Sequence, residues 1–248
     1  MKIMKYTLWA TVGLSLLFAS CESILDINPK DRLTTKDYFT NEEQLQLYSN
    51  QFYSNNFPGD GDIYRDDADM LIVSPLSDEV SGQRVIPETG GGWSWSALRS
   101  INFLLDNLGN CKDQKVRDKY EALARFFRAY FYFELIKRYG GVPLITKSLT
   151  AEEAQQVTRA SYDDCMKQII ADCDTAANRL PEQYKGSSES VGFDDKKELG
   201  RPTTGSAYGL KSRALLYWAS PLNNPNNDKQ RYKLAIDAAQ KVVESAFR

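Results

Sequence analysis

Histidine is absent from all 248 residues. With it go the usual general base near neutral pH, the commonest zinc ligand, and the Ser-His-Asp and Cys-His nucleophile arrangements. An excess of charge of either sign is missing too, since 31 Lys and Arg stand against 33 Asp and Glu for a formal net charge of −2. The two signs are interspersed and no basic stripe forms, so the chain offers nucleic acid no phosphate-neutralising surface. Glycoside hydrolysis passes this filter, because it needs only two carboxyl groups, and it stays open at this point.

Other contents are ordinary or rich. Hydrophobic residues make up 42% and charged residues 26%, enough for one large domain or two small ones, while 12% aromatic residues with 14 tyrosines point to an extensive ring-lined interior. The first residues are the most specific. Lys2 and Lys5 precede an apolar run from Tyr6 to Phe18, which is shorter than the roughly 20 residues a membrane-spanning helix needs, and small Ala19 and Ser20 precede Cys21. Residues 1–20 are therefore expected to be an export leader. Phe18-Ala19-Ser20-Cys21 resembles the bacterial lipoprotein signal, with phenylalanine where leucine is usual. The resemblance implies a lipidated Cys21 at the mature N-terminus. A single acyl chain holds only marginally, at about 0.8 kcal/mol per buried CH₂, whereas the several chains of such lipoproteins hold permanently.

Residues 21–40 read as a polar, proline-broken tether, and residues 41–248 as a helical body. Helical spacing appears at about 42–53, 95–108, 114–139, 162–180, 204–220 and 229–247, with few and short strand signals. Thr40-x-x-Glu43 and Ser161-x-x-Asp164 offer N-terminal caps, and Gly140-Gly141 before Pro143 offers a stop. Two intervals, 55–92 and 186–200, are rich in Gly, Asp and Ser; the first is too long for a plain connector and is the expected functional surface.

The stretch Arg125–Tyr139, RFFRAYFYFELIKRY, carries a dense row of rings. Leu123, Phe126, Phe127, Tyr130 and Phe131 follow i, i+3, i+4 spacing, and Phe133 and Ile136 open a second apolar face. Charges fill the rest, with Glu121 placed to reach Arg125 and Glu134 to reach Arg138, each pair contributing about 0.2–0.5 kcal/mol. Burying one large ring contributes about 1.5–3 kcal/mol, so the row belongs inside. A helix apolar on two faces suits a stack of helix pairs: 95–108 with 114–139, then 162–180 with 204–220. Lys229–Phe247 is left without a partner, with Leu234, Ile236, Val242 and Val243 uncovered, and the array is expected to be truncated.

Tyr120–Ile145, YEALARFFRAYFYFELIKRYGGVPLI, closely resembles the signature region of the SusD/RagB family of outer-membrane nutrient-binding lipoproteins. Further pieces agree in order: LDINPKDRLTTKDYFTNEEQL, PLSDEV, WSALRSINFLL, TRASYDDCMKQIIADCDTAANRLP and GRPTTGSAYGLKSRALLYWASPLNN. The chain resembles the N-terminal half of such proteins. The resemblance implies an all-α fold of tetratricopeptide-like helix pairs with long irregular loops, anchored by lipid at the outer membrane and facing the exterior. It implies a glycan ligand, with peptide ligands in some relatives, a SusC-like TonB-dependent barrel as partner, and no catalysis or cofactor. A helical-repeat scaffold that binds only proteins and a carboxylate-dependent glycosidase are the competing readings.

Trp93 and Trp95, in GGGWSWSAL, are the candidate sugar-stacking residues, with Arg84 as a hydrogen-bonding partner. Trp95 opens a helical repeat and reads more readily as core than as a sugar contact. Asp60, Asp62, Asp66, Asp67 and Asp69 form an oxygen-rich run, but their spacing is not that of an EF-hand loop, so a solvated acidic loop is expected and no metal site is assigned. Cys165 and Cys173 stand eight residues apart on one helix, about 12 Å along its axis and too far for a mutual disulfide; with Cys111 they are expected to be buried thiols.

Overall fold

The stop at Gly140-Gly141 and the cap at Asp113 define the longest helix. Asp113 accepts from the backbone N–H of Lys115 (2.9 Å) and of Val116 (3.3 Å) through Oδ1, and Gly140 ends the helix at φ 70°, ψ −139°, a conformation that side chains disfavour. A computed structural model describes residues 37–57, 74–85, 88, 94–184 and 200–246. Among them run α1 (Glu42–Ser49), α2 (Gln51–Asn56), α3 (Asp78–Ser81), α4 (Ser96–Asn107), α5 (Gln114–Tyr139), α6 (Ala151–Gln155), α7 (Tyr162–Arg179), α8 (Thr204–Ala219) and α9 (Lys229–Ala246). Among the described residues no strand forms, and one isolated antiparallel bridge joins Pro143 to Arg159. The fold is all-α. These helices all lie in the unit Phe39–Arg248. The leader, Cys21, most of the tether, the aspartate run, Trp93 and residues 185–199 fall outside the described residues.

Two local expectations are corrected. The first helix does not use the Thr40-x-x-Glu43 box: Asn41 Oδ1 accepts from Gln44 N at 3.0 Å, while the Thr40 backbone N–H and hydroxyl donate to Gln44 Oε1 at 2.9 and 3.0 Å. Asparagine caps at least as well as threonine, so the start slips by one residue. The pattern at 42–53 also splits at Asn50 and extends to Asn56. Ser161 behaves as expected, its hydroxyl accepting from Asp164 N at 3.0 Å.

α5 is the spine. It packs on α4 on one side and α7 on the other, α7 packs on α8, and α8 on α9. Its rings are inside: Phe126, Phe127, Phe131, Tyr132, Phe133 and Ile136 are buried and Tyr130 half-buried. Phe127 meets Phe52 (centroids 5.7 Å), Tyr53 (4.9 Å) and Phe57 (5.3 Å) from α2 and its end, and Phe133 meets Tyr217 of α8 edge-on at 5.2 Å. The second apolar face thus reaches the next helix pair, as a repeat stack requires.

α9 is not without a partner. Its Ala235 and Ala238 are buried with Leu215 of α8, against Ile170 and Trp218, and small residues let the two axes approach closely. Leu234, Ile236 and Val243 stay exposed, so α9 docks through its alanine stripe and its larger side chains face away. A polar clamp ties the same corner. Trp218 Nε1 donates to Asp163 Oδ1 at 2.7 Å, Arg231 Nη2 donates to Asp163 Oδ2 at 3.0 Å, and the Arg231 guanidinium lies 4.3 Å from the Trp218 ring centre.

Candidate functional site

After α5 the chain must turn back, and Gly141 makes the turn by close approach: a Cβ there would lie 2.2 Å from Ala160 O and 2.9 Å from Tyr162 N. Residues 142–149 then run back alongside α4 and α5 as a wall. The Ala160 backbone N–H donates to Val142 O at 3.1 Å, and the Arg159 guanidinium donates to the carbonyls of Gly141 and Tyr139.

Between this wall, the first turns of α4 and α6 lies a cavity of about 340 Å³. Trp95, Leu98 and Arg99 line it from α4, Ile145 and Leu149 from the wall, and Val157 from beyond α6. Trp95 is half-buried, its ring tilted 50° on Phe131 at 6.0 Å. Trp95 therefore combines both readings the sequence left open, core contact and cavity edge. Lys147 also lines the cavity and is ion-paired with Glu153. Burial, with no charged partner needed, explains the direction of the tyrosine shift behind the wall: the Tyr132 hydroxyl is held well above its ordinary value.

A fully polar node backs the cavity, and its Asn102 is part of the lining. Arg128 is 3% exposed, and Asp172 and Asn102 are completely buried. Arg128 Nε donates to Asp172 Oδ2 and Nη2 to Asp172 Oδ1, both at 2.7 Å, a two-pronged pairing that fixes the guanidinium plane. Its Nη1 donates to Asn102 Oδ1 (3.1 Å) and to Thr146 O (3.0 Å). Asn102 Nδ2 donates in turn to Ile145 O (3.0 Å) and Lys147 O (3.2 Å), and the Tyr132 hydroxyl accepts from Ile145 N (2.6 Å). Asp172 also accepts from Arg125 Nη1 at 3.0 Å, and Arg125 Nε reaches Glu121 at 2.9 Å as the spacing predicts. Glu134 pairs with Lys137 at 2.6 Å instead of Arg138, a correction of one residue.

The sequence reading placed all of α5's charges on its outer stripe and so missed Arg128. A signal was present. Ala124, Arg128, Tyr132 and Ile136 share one i, i+4 row, Leu98 and Asn102 share another, and Asp172 sits between Ile169 and Ala176. Three polar residues in three apolar rows mark a buried polar contact. Of the other expected site residues, Arg84 is exposed just after α3, its backbone N–H donating to Asp78 O at 3.1 Å, and it does not line the cavity; Trp93 lies outside the described residues. Among the described residues no group of three acidic or cysteine side chains could hold a metal, and no helix is long and apolar enough to cross a membrane. Cys111, Cys165 and Cys173 are buried and free.

This frame, a ring-filled spine with a returning wall, matches known proteins. A family model described as SusD-like, starch-binding associating with outer membrane, covers residues 93–216. The chain belongs to the SusD-like family. A SusD-like protein of Formosa agariphila is 23% identical, with 67% of this chain and 37% of the relative covered. A SusD-like structure from Bacteroides fragilis superposes with a TM-score of 0.60 at 26% identity, covering 88% of this chain and 40% of that one. A SusD homolog from Bacteroides thetaiotaomicron gives 0.62 at 23%, covering 85% and 42%, and shows the shared fold. The SusD-like chain described here spans about two fifths of the length of these proteins.

Proposed function

We propose that this chain is the glycan-binding part of a surface lipoprotein that passes oligosaccharides to a SusC-like TonB-dependent transporter. The supporting observation is Trp95: a half-buried indole at the edge of a mostly apolar cavity, on a SusD-like helical frame. Sugars present apolar ring faces that stack on a rigid aromatic side chain at small entropic cost. In this reading Trp95 is the fixed contact at the cavity edge, and Trp93 and Arg84, the latter outside the cavity lining, add a second ring and a hydrogen-bond donor to ligand that extends beyond the cavity. Residues 1–20 are the leader, Cys21 carries lipid at the outer membrane facing the exterior, residues 21–40 are the tether, and 41–248 bind without bond cleavage.

Affinity electrophoresis of the full chain in gels of soluble starch, laminarin and pectin tests this. Retardation in at least one gel is expected, reduced about tenfold in affinity by Trp95→Ala, a loss of about 1.4 kcal/mol. A wild-type chain that runs freely in all three, or releases reducing ends from any, ends the reading.

A further inference from the structure

We propose that the buried node Asn102–Arg128–Asp172, with Tyr132, is a positioning device: it holds the wall 143–149 at the distance from Trp95 that the ligand needs. The inference rests on the glycan reading of the cavity. Its own basis is the hydrogen-bond inventory. Three consecutive wall carbonyls, Ile145, Thr146 and Lys147, are taken up by side chains of α4 and α5, and the Ile145 N–H goes to Tyr132. Apart from the single Pro143–Arg159 bridge and a bond from the Ser148 N–H to Asp106 Oδ2 (2.7 Å), this stretch of backbone is held chiefly by these side chains, and each of them comes from a buried residue.

The chemistry of each member is specific. Arg128 has five donors in a rigid fork, and this site uses three of its nitrogens: two for Asp172 and the third for Asn102 and Thr146. Lysine could satisfy the carboxylate but could not also span to the wall. Asn102 works as an adaptor, accepting from Arg128 on one side and donating to two carbonyls on the other. An aspartate there keeps the shape and the acceptor but turns a lone pair toward the Ile145 and Lys147 carbonyls. Asp172, from α7, sets the plane of the fork, so the second helix pair has a say in the geometry of a cavity that α7 does not line. Of the four, only Asn102 lines the cavity; Arg128, Tyr132 and Asp172 do not, and they act on the ligand through Asn102 and the wall.

Arg128→Lys and Asn102→Asp in the full chain, with Tyr132→Phe as the mildest change, form the test. Amide hydrogen exchange and affinity electrophoresis in starch, laminarin and pectin gels are read on each. The expected result is exchange at 144–149 at least about tenfold faster while the central amides of α5 and α7 keep their protection, together with an affinity loss of about tenfold. Wall amides at wild-type rates overturn the proposal. So does faster wall exchange with unchanged gel retardation, which would make the node purely structural. A wild-type chain that no gel retards is a different failure, that of the glycan reading, and removes the ligand on which this inference depends.

Discussion

At the scale of single residues, burial separates charges that matter from charges that adjust. Asp172 is sealed from water and paired to two arginines, whereas Lys233 and Asp237 of α9 meet at the surface. Removing one partner of a buried pair leaves the other uncompensated, at a cost of about 3–5 kcal/mol, while exposed pairs contribute about 0–1 kcal/mol. Asp172→Ala is therefore expected to lower the denaturation midpoint severely, and Lys233→Ala to leave it nearly unchanged, in parallel urea titrations. Tyrosines give an alkaline signature. Burial, reinforced by Asp163, pushes the Tyr162 hydroxyl up to about 12, against about 10 in an unfolded chain, and burial pushes Tyr132 the same way. The folded state thus holds these protons more tightly. The stability they contribute is complete below about pH 10 and is lost as pH rises toward 12. Thermal scans between those values should show a shallower fall for Tyr162→Phe than for wild type; equal slopes would assign the loss to other groups.

At the scale of elements, the return after α5 is the most demanding feature. Gly141 packs its Cα against backbone atoms of Ala160 and Tyr162, which cannot swing aside as a side chain would. Gly141→Ala should cost about 1–3 kcal/mol or more as the overpacked backbone shifts, and circular dichroism melts would report it. Much at this scale could be read in the sequence. The bounds of α5 follow from its helical spacing and the stop at Gly140-Gly141, and its ring spacing places the row inside. Other details could not. Which stripe of α9 docks was hidden, because Leu234, Ile236 and Val243 look more apolar than Ala235 and Ala238, yet the closeness of α8 selects the smaller pair. Arg128 stands out by its apolar row, but its partner does not, because it lies 44 residues away. The cavity was only half legible: Trp95 stood out as an aromatic, while its opposite wall, VPLITKSL, is shaped by long-range side-chain donors that no local pattern encodes.

At the scale of the whole molecule, the helical fold is the frame, and the proposed membrane address is the leader with Cys21. If Cys21 carries the anchor, Cys21→Ser should move the chain from the membrane pellet to the soluble fraction of a fractionated cell, with its melting temperature unchanged. Retention of the variant in the pellet would contradict the lipid anchor and leave the helical fold untouched. The clamp at the far corner offers a practical consequence. A guanidinium stacked on Trp218, with the indole N–H bonded to Asp163, couples that ring to α7, α8 and α9 together. Its fluorescence therefore reads the joint between the last helices, while that of Trp95 reads the cavity. With Trp9 and Trp93 replaced by Phe, a spectral change that survives Trp95→Phe belongs to the joint, and one that disappears belongs to the ligand, so two native rings suffice to tell loosening from binding.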